Sequence, residues 1–152
     1  MANYVRSVLA MDANSKNIKK VLDFIRSDER LVDMNKIIPT PVDMSPSEAA
    51  YWQIIHWGTN NTLDCIQNKM DVLSFSTKWV APEKAIGKLA KIFPQVEITL
   101  WFADEEIGRG AGMVRWFEGK IIDDIIPFGD SETEEKIRQF CWESINERRV
   151  AR

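Results

Sequence analysis

The chain has 152 residues, 45% hydrophobic and 28% charged, with a formal net charge of −3 and a pI near 5.3. That length and balance fit one folded domain with a sizeable core and argue against disorder. The acidic balance disfavours a general nucleic-acid binder, whose phosphate affinity comes from clustered Lys and Arg. No stretch approaches the roughly 20 apolar residues of a membrane span, and Arg6, Asp12 and Asn14 interrupt the start, so neither a secretory signal nor membrane insertion is expected. Cys65 and Cys141 stand far apart and read as small buried hydrophobes of a reducing compartment, which points to the cytoplasm.

In chain order, residues 4–11 read as a first strand. Asn14 and Ser15 can cap a helix whose stripe is Ile18, Val21, Leu22 and Ile25. The segment Leu31 to Ile38 predicts a short strand stopped by Pro39 and Pro41. Ser45-Pro46-Ser47-Glu48 is a capping box, expected to satisfy two orphan amides, and it opens a helix running to Trp57 with Gly58 as its stop.

Residues 62–80 predict a hairpin that turns at Gln67-Asn68-Lys69. Its second arm places Leu73, Phe75, Thr77 and Trp79 on one side, with Val72, Ser74, Ser76 and Lys78 facing the other way. Pro82 opens a helix with the stripe Ile86, Leu89, Ala90 and Phe93, closed by Pro94.

The alternation of Val96, Ile98, Leu100 and Phe102 marks a strand, with Trp101 on its opposite face. Asp104-Glu105-Glu106 makes a loop, Met113 to Phe117 returns as a strand, and a further short strand runs to Ile126. Asp130 or Ser131 caps a last helix with Ile137, Phe140, Cys141, Ser144 and Ile145 on one face and Arg148, Arg149 and Arg152 at its end. Hairpin-linked strands mixed with helices predict an α+β domain: a ferredoxin-like antiparallel or mixed sheet with helices packed mainly on one face.

Asn35-Lys36-Ile37-Ile38-Pro39, Trp57-Gly58-Thr59-Asn60, Thr77-Lys78-Trp79 with Pro82, and Phe93-Pro94 follow one another in an ordered set. In that order and spacing the chain resembles the YubB-type ferredoxin-like family of phages, plasmids and integrated elements, over roughly residues 30 to 126. It departs from the pattern at Asn60-Asn61, where the family carries a Lys-Trp-type pair, and in the Gly108 to Gly112 loop. The resemblance implies a ferredoxin-like fold and a mobile-element origin, and it brings no catalytic residues.

No cofactor or metal is called for by the residues. The lone His56 has no orienting carboxylate nearby, and one histidine with two distant cysteines makes no zinc spacing. The expected partner surface is acidic and tryptophan-bearing: Trp101, Trp116 and Trp142 with Asp104, Glu105 and Glu106. Such a surface fits a host protein, a defence component such as a CRISPR nuclease, or a second copy of the chain. The alternative is a small ligand, nucleotide or single-stranded nucleic acid bound on an open sheet face and the turn Gly108, Arg109, Gly110 and Gly112. A simpler account of those glycines is a hairpin or bulge that lets a bulky neighbour approach the backbone.

Overall fold

The computed structural model describes residues 3–108 and 110–146. β1 (Tyr4–Asp12) leads into the cap Asn14, whose side chain accepts the Asn17 N–H at 2.8 Å. Helix α1 (Ser15–Ile25) then buries Ile18, Val21, Leu22 and Ile25, the predicted stripe.

The expected strand at Leu31 to Ile38 is instead a one-turn helix, α2 (Met34–Ile37). Side chains satisfy its backbone where a strand would need a ladder. Asp33 accepts the Asn35 N–H at 2.9 Å, and Asn61 Oδ1 accepts that of Met34 at 3.0 Å. With those amides taken, Met34 and Ile37 turn into the core together, three residues apart.

Helix α3 (Pro46–Trp57) starts and stops where the sequence predicts, with Gly58 at φ +91°. Its cap is simpler than a reciprocal box. Ser45 Oγ accepts the Glu48 N–H at 3.3 Å and donates to the Glu48 carboxylate at 2.8 Å, so one amide is satisfied rather than two.

β2 (Leu63–Lys69) and β3 (Val72–Lys78) form the hairpin, but the turn falls at Met70-Asp71. The polar run read as a turn stays in β2, where Asn68 donates to the Ser144 carbonyl at 3.1 Å. Helix α4 (Glu83–Ile92), β4 (Glu97–Asp104), β5 (Ala111–Phe117), β6 (Lys120–Ile125) and helix α5 (Glu132–Glu143, capped by Ser131) follow among the described residues. Arg148, Arg149 and Arg152 lie outside the described residues.

The six strands form one antiparallel sheet in the order β2-β3-β1-β4-β5-β6. The β4-β1-β3-β2 portion is the ferredoxin-like arrangement, extended by the β5–β6 hairpin. On one face Leu9, Leu73, Phe75, Ile98 and Leu100 meet the buried stripes of α1, α2 and α4 in the main core. The fold is α+β as expected, but α5 occupies the opposite face, packing Ile137 and Cys141 on Val8, Ala103 and Ala111. Ser74 and Ser76, which alternation assigned to the side away from the core, are therefore buried too. Among the described residues no helix is long and apolar enough to cross a membrane.

Candidate functional site

One end of the sheet gathers the start of β1 and the ends of β3 and β4, because Tyr4 pairs with Lys78 and Val5 with Asp104. The chain leaves β3 through Trp79, whose φ is +70°. A bulky side chain in the left-handed region costs about 1–2 kcal/mol. The bend is held by the Trp79 N–H to the Asn3 carbonyl at 2.8 Å and by Thr77 Oγ1 to the Val80 carbonyl at 2.7 Å. Thr59 Oγ1 adds a bond to the Lys78 carbonyl at 2.7 Å. The result turns the indole outward: Trp79 is 56% exposed, beside exposed Val80 and Tyr4.

Acidic groups share this end. Glu105 and Tyr4 are tied twice, the Glu105 N–H to the Tyr4 carbonyl at 3.0 Å and the Tyr4 N–H to Glu105 Oε1 at 3.1 Å. Glu105 and Glu106 are exposed, whereas Asp104 is only 6% exposed and accepts the Glu106 N–H at 2.9 Å. Of the three carboxylates expected on the surface, Asp104 is thus a turn-former.

The three tryptophans expected on one surface are separated. Trp116 is 5% exposed and belongs to the main core, with its indole edge against Gly87 of α4. Trp101 points to the opposite face, as predicted, but that face is closed: its ring meets Phe140 of α5 edge-on, centroids 5.7 Å apart. Trp142 is half-buried there and donates Nε1–H to the Ala103 carbonyl at 3.1 Å. Trp101 is thus half-buried beneath α5 rather than lying on an open sheet face. The exposed indole is Trp79, which strand alternation had placed inward. Its one sequence signal is position: Trp79 stands at the strand end, three residues before Pro82.

The glycine loop already holds an anion, the chain's own Glu134. Oε1 of Glu134 accepts the Gly108 N–H at 2.7 Å, and Oε2 that of Asp130 at 3.2 Å. Arg138 Nη1 lies 2.8 Å from Oε1, and the side chain of Glu134 is 1% exposed. Burial alone would raise this carboxyl, but the Gly108 N–H and the Arg138 guanidinium hold it below the usual range. Gly112 explains itself: a Cβ there would lie 2.8 Å from the Phe102 ring and 2.9 Å from the Ile125 carbonyl. The loop is a hairpin connection with a close approach, as the simpler account of its glycines had it. Gly110 has φ +129° and open space around it, and Arg109 lies outside the described residues.

His56 stacks on Trp52 with ring centroids 4.1 Å apart, and its Nδ1 lies 2.8 Å from the Trp52 carbonyl. Both cysteines are free thiols; Cys65 is half-buried and Cys141 fully buried. Burial pushes the Cys141 thiol up to about 12, so it stays protonated and unreactive at neutral pH. Among the described residues, no three His, Cys, Asp or Glu side chains are grouped to hold a metal ion.

Residues 52–142 match the model of the ferredoxin-like domain in Api92-like protein. The chain belongs to that family. The matched stretch runs from within α3 to near the end of α5; β1, the strand at the middle of the sheet, lies before it. A crystal structure of a protein api92 from Yersinia pseudotuberculosis is also similar, at 17% identity and a TM-score of 0.40. The likeness covers 62% of this Api92-like chain but 39% of the Yersinia one, so it spans about two-fifths of that protein's length. No curated protein matches the chain.

Proposed function

We propose that this chain is a non-enzymatic interaction protein of a mobile genetic element, acting in the host cytoplasm. It binds a host protein through the end of the sheet that carries Trp79, Val80 and Tyr4 beside Glu105 and Glu106. The host protein is a defence component such as a CRISPR nuclease. One observation carries the reading: an indole more than half exposed, held outward by a strained backbone and three hydrogen bonds. Strain of this kind persists where the surroundings over-determine it, and such positions cluster at functional sites. Tryptophan is also the residue most enriched among interface hot spots, and the adjoining carboxylates suit a basic partner groove. The mobile-element setting and the choice of a defence protein are supported by the resemblance to phage and plasmid proteins.

The test starts by recovering a stoichiometric partner from host lysates with the tagged chain. Calorimetry with the purified partner then compares wild type with Trp79→Ala. Loss of at least about tenfold in affinity, with an unchanged circular dichroism spectrum, is expected for a hot spot. Equal affinities would remove Trp79 from the interface. Sedimentation of the chain alone shows whether a second copy, rather than a foreign protein, takes this surface.

A further inference from the structure

A second surface, sharing none of these residues, lies between α4 and the β5–β6 hairpin. It is a groove of about 360 Å³ whose lining includes Lys84, Lys88, Lys91, Gly87, Trp116 and Ile121. Its floor carries an unused donor. Two other indoles have acceptors, Trp57 donating to the Ile38 carbonyl and Trp142 to that of Ala103. Trp116 is 5% exposed as a residue, and its Nε1–H, bonded to no described residue, opens to solvent at the groove.

The opening above that donor is Gly87. A Cβ on Gly87 would sit 3.7 Å from Trp116 Nε1, an ordinary van der Waals contact. Alanine therefore fits, and it is the better residue for a helix interior. Packing does not require glycine here; the missing methyl leaves the indole N–H uncovered toward the groove.

Around this donor the charge is positive. Lys84 donates to the Ile55 carbonyl at 3.0 Å, while Lys88 and Lys91 are exposed with no partner among the described residues. Ile121, 62% exposed, adds an apolar wall, and Glu83 is the one carboxylate of the lining. Ammonium groups strung along two helical turns, an indole N–H and an apolar wall complement a chain that alternates carboxylates with apolar groups.

We infer that this groove binds an acidic peptide segment of a partner protein, with one carboxylate accepting the Trp116 indole N–H and others paired to Lys88 and Lys91. The inference does not depend on the Trp79 surface.

The test follows the indole N–H resonances of the ¹⁵N-labelled chain, with Trp116→Phe used to assign the Trp116 signal. Hexaglutamate should shift that signal saturably, and hexaglutamine should leave it in place. Lys88→Gln with Lys91→Gln, both surface changes that preserve the fold, should weaken binding about fivefold. Gly87→Ala should raise the melting temperature by about 3 °C and weaken hexaglutamate binding. The proposal is overturned by a Trp116 resonance that does not move with hexaglutamate, by equal shifts with hexaglutamine, or by unchanged binding in Gly87→Ala. Tighter binding of a hexathymidylate than of the peptide would assign the groove to nucleic acid and overturn it as well.

Discussion

The two faces of one sheet are built from alternate residues of the same strands, yet they are held in different ways. Under α1, α2 and α4 lie Leu9, Leu73, Phe75, Ile98 and Leu100, a face where burial of apolar area does the stabilising. Under α5 a small apolar cluster is joined by Arg6, Ser74, Ser76, Ser144, Glu134 and Arg138, all buried. Arg6 shows how this second face works. It is fully buried without a carboxylate partner, donating to Ser74 Oγ at 2.8 Å, Ser76 Oγ at 3.1 Å, the Asp64 carbonyl at 2.9 Å and Ser144 Oγ at 3.2 Å. Burial pulls its pKa down, opposed by the nearby Asp64, Cys65 and Cys141. The apolar face is forgiving of direction, because dispersion and water exclusion have little. The polar face fixes where α5 sits, because every donor must find its acceptor.

The largest expected effect lies on the apolar side. Phe75→Ala should cost about 4 kcal/mol in urea unfolding, the transfer of a buried ring plus the cavity it leaves. If the polar side were only a solvated surface, Glu134→Ala would be nearly neutral. We expect about 3 kcal/mol, because Arg138 would stay buried without its counter-ion. The same change frees the Gly108 N–H, so limited proteolysis should cut the β4–β5 loop faster.

Acid titrates the capping and paired carboxylates and spares the buried ring. The carboxyls of Glu134 and Asp33 lie below their ordinary values when folded: burial would raise both, but hydrogen bonds and nearby cations outweigh it. Their contribution is fully present above the unfolded pKa values near 4 and is lost as pH falls through the lower folded values. Glu134→Gln should flatten that acid limb, whereas Phe75→Ala should shift the whole stability curve and leave its shape. The smallest effect is Trp101→Leu, about 1 kcal/mol, from loss of the edge-on contact with Phe140. No change at all in that variant would mean that α5 does not cover the ring.

This difference also explains what the sequence could tell. Ile18, Val21, Leu22 and Ile25, or Ile98 and Leu100, announce buried faces by period alone, and so the apolar layer and most strands were legible. Period reports that a face is buried, not what covers it. Ser74, Ser76 and Arg6 have the pattern of a solvated side, and only α5, about sixty residues beyond the serines, makes them interior. Trp79 was misplaced for the complementary reason: alternation assumes the strand continues, and a left-handed residue ends it. At Leu31 to Ile38 the strand expected before Pro39 is replaced by a helical turn, because the side chains of Asp33 and Asn61 supply its bonds. The Lys88 and Lys91 groove has no signal in the sequence, because its floor belongs to β5 and its rim to α4, which meet only after folding.

Arg6 carries one more implication, for how the molecule is completed. Its strand is paired along both edges, by β3 and by β4. One of its acceptors, Ser144, follows the last helix. During synthesis on the ribosome the central strand can recruit its neighbours and close the apolar layer while this guanidinium still lacks part of its shell. The arrival of α5 then acts as a latch, and a chain stalled before residue 144 would keep a solvated arginine at the heart of an otherwise assembled sheet.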